Sequence, residues 1–295
     1  MSFLVQKLGY VSLGVKDLAR AVEDSVRIAG VRVTEKSGKR ALLTSNRRRA
    51  ELVLHEAPDN GFAGLGLEAV NPDTIDEAKK RAIAAGLRII SDKPLLELVE
   101  KAVSFQTSAG HVIEIHTPVP SNLPVRYSGP GVHPSFLDHV TLATVDAEKT
   151  AEELQQVLGM RLSERDVGNN MFFLRGADGR HHTVGLFRQE KSGLHHYSWE
   201  FADFSDFKRL GDVIDVEGRS LIWGPGRHGA GDNIFTYHFD SAGFIVECTS
   251  DMAIIHEENF TPRICDFTNP KAGNLWCAMP PPAEWVAHCS PNIRA

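Results

Sequence analysis

The chain has 295 residues, enough for two domains of common size. Lys and Arg total 32 against 38 Asp and Glu, a formal charge of −6 with no basic stretch for a phosphate backbone, which excludes nucleic acid as a partner. A composition of 42% apolar and 24% charged residues is that of a globular protein, and with neither a membrane-length apolar run nor signal-peptide features at Met1–Lys7 a cytoplasmic protein is expected.

The opening segment Leu8–Leu13 alternates apolar and polar residues as a strand does. Asp17 is placed to cap a helix carrying Leu18, Val22 and Val26, which stops at Gly30. Short strands are expected at Val31–Thr34, Arg40–Thr44 and Glu51–His55. A second unit begins at Gly64–Glu68, continues in a helix over Pro72–Ala85 closed by Gly86, and ends in Gly110-His111-Val112-Ile113-Glu114. Thr117–Pro134, with five prolines, reads as a linker.

The pattern then repeats. Leu137–Leu142 matches the opening strand, Asp146 caps a helix through Ala151, Leu154 and Leu158, and Gly159 stops it. Strands follow at Met160–Glu164, Asn170–Leu174 and His182–Phe187. His196–Glu200, a helix over Phe204–Val216 closed by Gly218, and Gly243-Phe244-Ile245-Val246-Glu247 complete the second half. The predicted class is α+β, four βαβββ modules in two tandem halves, with domains at 1–128 and 129–295 and a tail from about residue 250. The four cysteines, Cys248, Cys265, Cys277 and Cys289, lack CxxC spacing and are expected as reduced thiols.

Alignment of the halves isolates a candidate site. Where the second half carries His139, His196 and Glu247, the first carries Tyr10, Gly64 and Glu114. Each histidine taken singly is more simply a hydrogen-bonded strand residue. Together, two imidazoles and a carboxylate from three strands match the set that holds Fe(II) or Mn(II) with coordination positions left open. The first half keeps only Glu114, a hydrogen-bonded or solvent-facing acid, and is expected to hold no metal. A glycine-rich turn, Pro225–Gly229, carries His228, and the strand Ile234–Phe239 carries Tyr237, so a hairpin would bring both near Glu247. Tyr237 read alone is a packing aromatic whose hydroxyl finds a backbone partner.

The spacing Gly226-Arg227-His228, then Tyr237, a turn and Glu247, resembles the signature of type I extradiol ring-cleaving dioxygenases of the vicinal oxygen chelate superfamily. Ser241 replaces a proline and Thr236 an apolar residue of that signature. The resemblance covers nearly the whole chain and implies two tandem vicinal-oxygen-chelate domains, the N-terminal one metal-free. It implies that His139, His196 and Glu247 bind Fe(II) or Mn(II), with His196 chosen over His195 because it stands four residues before Glu200. It further implies that His182 moves protons during O2 activation, a role given to it over His181 by its place before Thr183-Val184-Gly185, and that His228 and Tyr237 hydrogen-bond a catecholic substrate. Asn274–Trp276, Pro282 and Trp285 look like a C-terminal lid, with Cys277 at a position where glycine is usual.

Trp223 stands where relatives taking carboxylated catechols carry arginine; it either lines the pocket, favouring an apolar ring substituent, or packs against the tail. The implied activity is meta cleavage by O2 giving a muconic semialdehyde, in aromatic catabolism, by a homo-oligomer. The alternatives are another metal-dependent enzyme of the same scaffold, which would lack the His228 and Tyr237 pair, and a non-catalytic binding module.

Overall fold

The computed structural model describes residues 2–125 and 127–293. The first half runs β1 (Val5–Val15), α1 (Leu18–Arg27), β2 (Arg32–Ser37), β3 (Arg40–Thr44), β4 (Leu52–Glu56), β5 (Gly61–Ala69), α2 (Asp73–Ala84), β6 (Arg88–Ser91), β7 (Ala102–Gln106) and β8 (Val112–His116). The second runs β9 (Phe136–Thr144), α3 (Ala147–Leu158), β10 (Arg161–Asp166), β11 (Met171–Arg175), β12 (Val184–Arg188), β13 (Gly193–Glu200), α4 (Phe204–Val216), β14 (Trp223–Arg227), β15 (Ile234–Phe239) and β16 (Ile245–Ser250). The first sheet has the order β2-β3-β4-β1-β5-β8-β7-β6, and the second repeats it as β10-β11-β12-β9-β13-β16-β15-β14. Within each module the last strand lies parallel to the first, and the two modules of a half join through antiparallel first strands. The four predicted βαβββ modules are the modules that form.

Local chemistry explains the helix boundaries. The Asp17 carboxylate accepts from Arg20 N at 2.9 Å, and that of Asp146 from Lys149 N at 3.0 Å. Gly159 ends α3 at φ 64°, a left-handed position where its N–H reaches Gln155 O. Helix α3 buries Leu154, Val157 and Leu158, each contributing about 1.5–3 kcal/mol. One continuous apolar core includes residues of both halves. Asp146→Ala is expected to lower unfolding free energy by about 1 kcal/mol in urea titration, with the fold retained; no change would mean that the cap is replaced by water.

Two segments depart from expectation. Strand β12 starts at Val184 rather than His182, because Arg180 bridges to Ile254 and His181 N donates to Ala253 O at 2.8 Å, pulling 180–182 out of the ladder. The expected glycine-rich turn at 225–229 is largely strand: β14 spans Trp223–Arg227 at the sheet edge, where Pro225 removes no interior ladder bond.

After β16 the chain wraps the second half. It adds β17 (Arg263–Cys265) beside β10, forms α5 (Pro270–Gly273) and α6 (Ala283–Val286), and pairs β18 (Ser290–Pro291) with β13. Ile293 N then donates to Phe62 O, tying the C-terminus to the first half. Among the described residues no helix is long and apolar enough to cross a membrane.

Candidate functional site

The repeat predicts the site because the strands keep the same register in both halves. Ser12 pairs with Gly64 as Thr141 pairs with His196, and Gly66 pairs with Glu114 as Ser198 pairs with Glu247. His139 on β9, His196 on β13 and Glu247 on β16 therefore meet on one face, with ligand atoms all within 4.8 Å of one another. At the equivalent place in the first half the Tyr10 hydroxyl donates to Glu114 Oε1 at 2.8 Å, and the Tyr10 ring fills the space over Gly66. Glu114 is thus hydrogen-bonded rather than solvent-facing, and burial pushes its carboxyl up to about 7.

All three side chains of the second-half cluster are buried. Glu247 Oε2 lies 2.8 Å from His139 Nε2 and 3.3 Å from His196 Nε2, yet accepts no well-aligned hydrogen bond. Burial opposes ionisation of Glu247, but the facing imidazoles of His139, His196 and His228 outweigh it and hold the carboxyl well below its usual range. Burial likewise opposes charge on His139, and Glu247 with Asp138 reverses that effect, raising it to about 9. Both imidazoles present Nε2 to the carboxylate because Nδ1 is engaged behind: His139 with Asp138 at 2.7 Å, His196 with His195 at 2.7 Å. Two aromatic nitrogens and one oxygen, converging without aligned donors, fit a divalent ion of the Fe(II) or Mn(II) kind.

The cluster opens onto a cavity of about 390 Å³. His182, from the loop before β12, lies against it with its ring 4.3 Å from that of His139; burial, reinforced by His139, keeps this imidazole neutral. His181 points away from the cavity, its Nε2 3.3 Å from Glu164. His228 Nδ1–H donates to Gly273 O at 2.7 Å, leaving Nε2 to accept from the Tyr237 hydroxyl at 2.9 Å. Burial, with Glu247 nearby, raises the Tyr237 phenol well above its ordinary value, so it stays protonated. All of the sequence-predicted site residues thus line one cavity.

Trp223 satisfies both readings left open by the sequence. It lines the cavity, stacks on Tyr237 at 5.6 Å and packs against Trp285 of the tail at 4.8 Å. Sequence reasoning missed Asn233, whose amide donates to Glu247 Oε1 at 3.3 Å and Thr249 Oγ1 at 2.7 Å, orienting the carboxylate. It also missed the support given by Asp138, for which the Asp-His adjacency was the available signal.

Residues 136–248 match the glyoxalase/bleomycin resistance protein/dioxygenase superfamily model. Metapyrocatechase 2 of Cupriavidus necator is 27% identical over 60% of each chain. Metapyrocatechase of Geobacillus stearothermophilus is 24% identical over 98% of this chain and 94% of its own. The manganese-dependent 2,3-dihydroxybiphenyl 1,2-dioxygenase of Geobacillus genomosp. 3 is 22% identical over 94% and 95%. Among solved structures, an E323L mutant of homoprotocatechuate 2,3-dioxygenase from Brevibacterium fuscum superposes with a TM-score of 0.91 at 18% identity, over 99% of this chain and 84% of that one, a likeness of fold.

Proposed function

We propose that the chain, whose residues 136–248 match the glyoxalase/bleomycin resistance protein/dioxygenase superfamily model, is an extradiol ring-cleaving dioxygenase acting on catechol or a catechol with an apolar ring substituent. The observation that carries this reading is the set His139, His196 and Glu247 at the floor of a cavity that also presents His182, His228 and Tyr237. His139, His196 and Glu247 would hold the ion. An Fe(II) or Mn(II) ion there would supply Lewis acidity to the catechol oxygens and redox chemistry for dioxygen.

The protein residues supply the proton chemistry. His182 enters neutral and is able to take a proton from the catechol side of the cavity and return it later. Tyr237 keeps its proton and donates it to His228 Nε2, and His228 is pinned at Nδ1 by the Gly273 carbonyl, so the phenol oxygen is turned to accept from a substrate hydroxyl. The single negative charge of Glu247 beside two neutral ligands leaves the loaded centre with one positive charge, suited to a catecholate monoanion.

Trp223, Trp285, Phe187 and Val286 make much of the wall apolar, which supports an alkyl or aryl substituent. Among the described residues Arg188 is the sole Lys or Arg side chain on that wall, and it is exposed at the rim. The test is anaerobic loading with Fe(II) or Mn(II), then catechol, 3-methylcatechol, 2,3-dihydroxybiphenyl and 3,4-dihydroxyphenylacetate in air, following oxygen uptake and the yellow ring-opened product. Turnover fastest with the uncharged rings is expected. Fastest turnover of the arylacetate would transfer the substituent contact to Arg188, and metal binding without oxygen uptake would sink the activity. Trp223→Ala is expected to lower kcat/KM for 2,3-dihydroxybiphenyl relative to catechol by about tenfold or more, the worth of a lost apolar wall; an unchanged ratio would place the substituent elsewhere.

A further inference from the structure

The two imidazoles that face Glu247 are held from behind by different parts of the chain. Behind His139 stands the Asp138 carboxylate, itself paired with Arg180, which also binds Glu200 at 2.7 Å. Among the described residues no carboxylate stands behind His196. Its Nδ1 lies 2.7 Å from Nδ1 of His195, and His195 Nε2 lies 2.9 Å from the main-chain carbonyl oxygen of Trp285 in α6.

The directions of these hydrogen bonds follow from the chemistry of their ends. A carbonyl oxygen only accepts, so His195 Nε2 carries a hydrogen. The His195 side chain is 0% exposed and its two hydrogen-bond partners, a peptide carbonyl and an imidazole, are uncharged, so the ring is neutral and its Nδ1 is an acceptor. His196 Nδ1 must then be the donor, and in the neutral ring Nε2 keeps its lone pair, 3.3 Å from Glu247 Oε2 and directed at the cluster. A histidine ligates through such an unprotonated nitrogen, and the hydrogen bond at the other nitrogen is what selects it.

The tail is held in register with this relay. Strand β18 pairs Pro291 with Gly193 and Ser290 with Leu194, immediately before His195, and Gln189 Nε2 donates to Val286 O. The Trp285 ring packs on the His195 ring at 4.6 Å.

We propose that the C-terminal segment sets the tautomer of His196 through the Trp285 carbonyl and His195, so that capture of the metal depends on docking of the tail. His195 is a positioning residue. The inference rests on reading His139, His196 and Glu247 as metal ligands, and it makes α6 part of the metal site as well as a wall of the cavity. A chain whose tail is undocked would present His196 as a mixture of tautomers, and the form protonated at Nε2 would have to move that proton before binding.

The experiment uses the full-length metal-free protein, with imidazole nitrogen-15 NMR to read the His196 tautomer and Mn(II) titration calorimetry to read affinity. Wild type is expected to show His196 protonated at Nδ1. His195→Leu is expected to show mixed tautomers and to bind Mn(II) about tenfold more weakly, the usual effect of removing a hydrogen-bond partner of a ligating histidine. His195→Gln, whose amide oxygen is able to accept from His196 while its amide nitrogen donates to the Trp285 carbonyl, is expected to recover both. Trp285→Ala, which unseats α6, is expected to resemble His195→Leu.

His196 protonated at Nε2 in wild type would overturn the relay, as would wild-type affinity and tautomer in His195→Leu, or a Gln variant no better than Leu. Wild-type behaviour of Trp285→Ala would overturn the part assigned to the tail. A wild type with the expected tautomer that binds no Mn(II) would support the relay and overturn the metal assignment, so the two failures are distinguishable.

Discussion

His196→Ala is expected to abolish metal binding and oxygen uptake together while leaving the fold intact. Its imidazole is one of the three groups that the cluster offers among the described residues, and an alanine leaves two, His139 and Glu247. The electrostatic stabilisation that a bound metal supplies to a reacting oxygen is on the order of several kcal/mol, so a rate loss of at least about 10³-fold is expected. Glu247→Gln tests the charge separately. It keeps the volume but leaves a divalent ion among neutral ligands, and it is expected to lose metal nearly as completely. Metal content by atomic absorption, oxygen uptake and thermal unfolding should be measured on the same preparations. Full metal content with full activity in either variant would remove the centre from this site. Lost activity accompanied by a collapsed melting transition would instead report misfolding, which the paired Gln variant guards against.

Arg48→Ala is expected to cost about 3–5 kcal/mol of stability, the scale for stripping the partner from a buried charge. Glu51 is 0% exposed and accepts from Thr44 Oγ1, Ser45 N, Ser45 Oγ, Asn46 Nδ2 and Leu137 N, in addition to Arg48. Leu137 lies in β9, so this carboxylate joins the two halves. The Arg48 guanidinium also donates to the carbonyls of Leu8 and Gly9, both at 3.2 Å, and these would lose their partner too.

Burial raises the Glu51 carboxyl, while Arg48 and the hydrogen bonds outweigh it, so the folded value lies below the unfolded one. Its contribution is therefore complete above the unfolded value of about 4.3 and is lost as pH falls through the folded one. The penalty of Arg48→Ala should accordingly be larger at pH 7 than at pH 4, where the unpaired carboxyl of the variant takes up a proton. Urea titrations at the two pH values check this, and an equal loss at both would mean that Arg48 acts through packing alone.

Much of the architecture was legible because its signals are local. Strand alternation, the caps at Asp17 and Asp146 and the stop at Gly159 each depend on residues within a few positions of one another, and β1–α1 and β9–α3 form where those signals lie. The duplication did more. With two copies of one register in a single chain, the histidines standing where the first copy has Tyr10 and Gly64 are marked by the sequence alone. The ends of strands near the site were less legible, since the start of β12 is decided by Ala253 and Ile254, far along the chain.

The sequence by itself determined the module order and set apart the three groups proposed as the centre, because repeat periodicity and side-chain type are written in the residues themselves; the proton-handling roles proposed for His182, His228 and Tyr237 rest on the family resemblance. Only the tertiary structure decided how those groups are oriented: Asn233 on Glu247, the Asp138 carboxylate behind His139, Trp285 bearing on Trp223 and His195 at once. The carbonyl of residue 285 meets a ring 90 positions earlier, and a carbonyl is common to every residue. A contact made by backbone across that distance leaves no mark in composition or spacing, and it exists only once the tail has docked on β13.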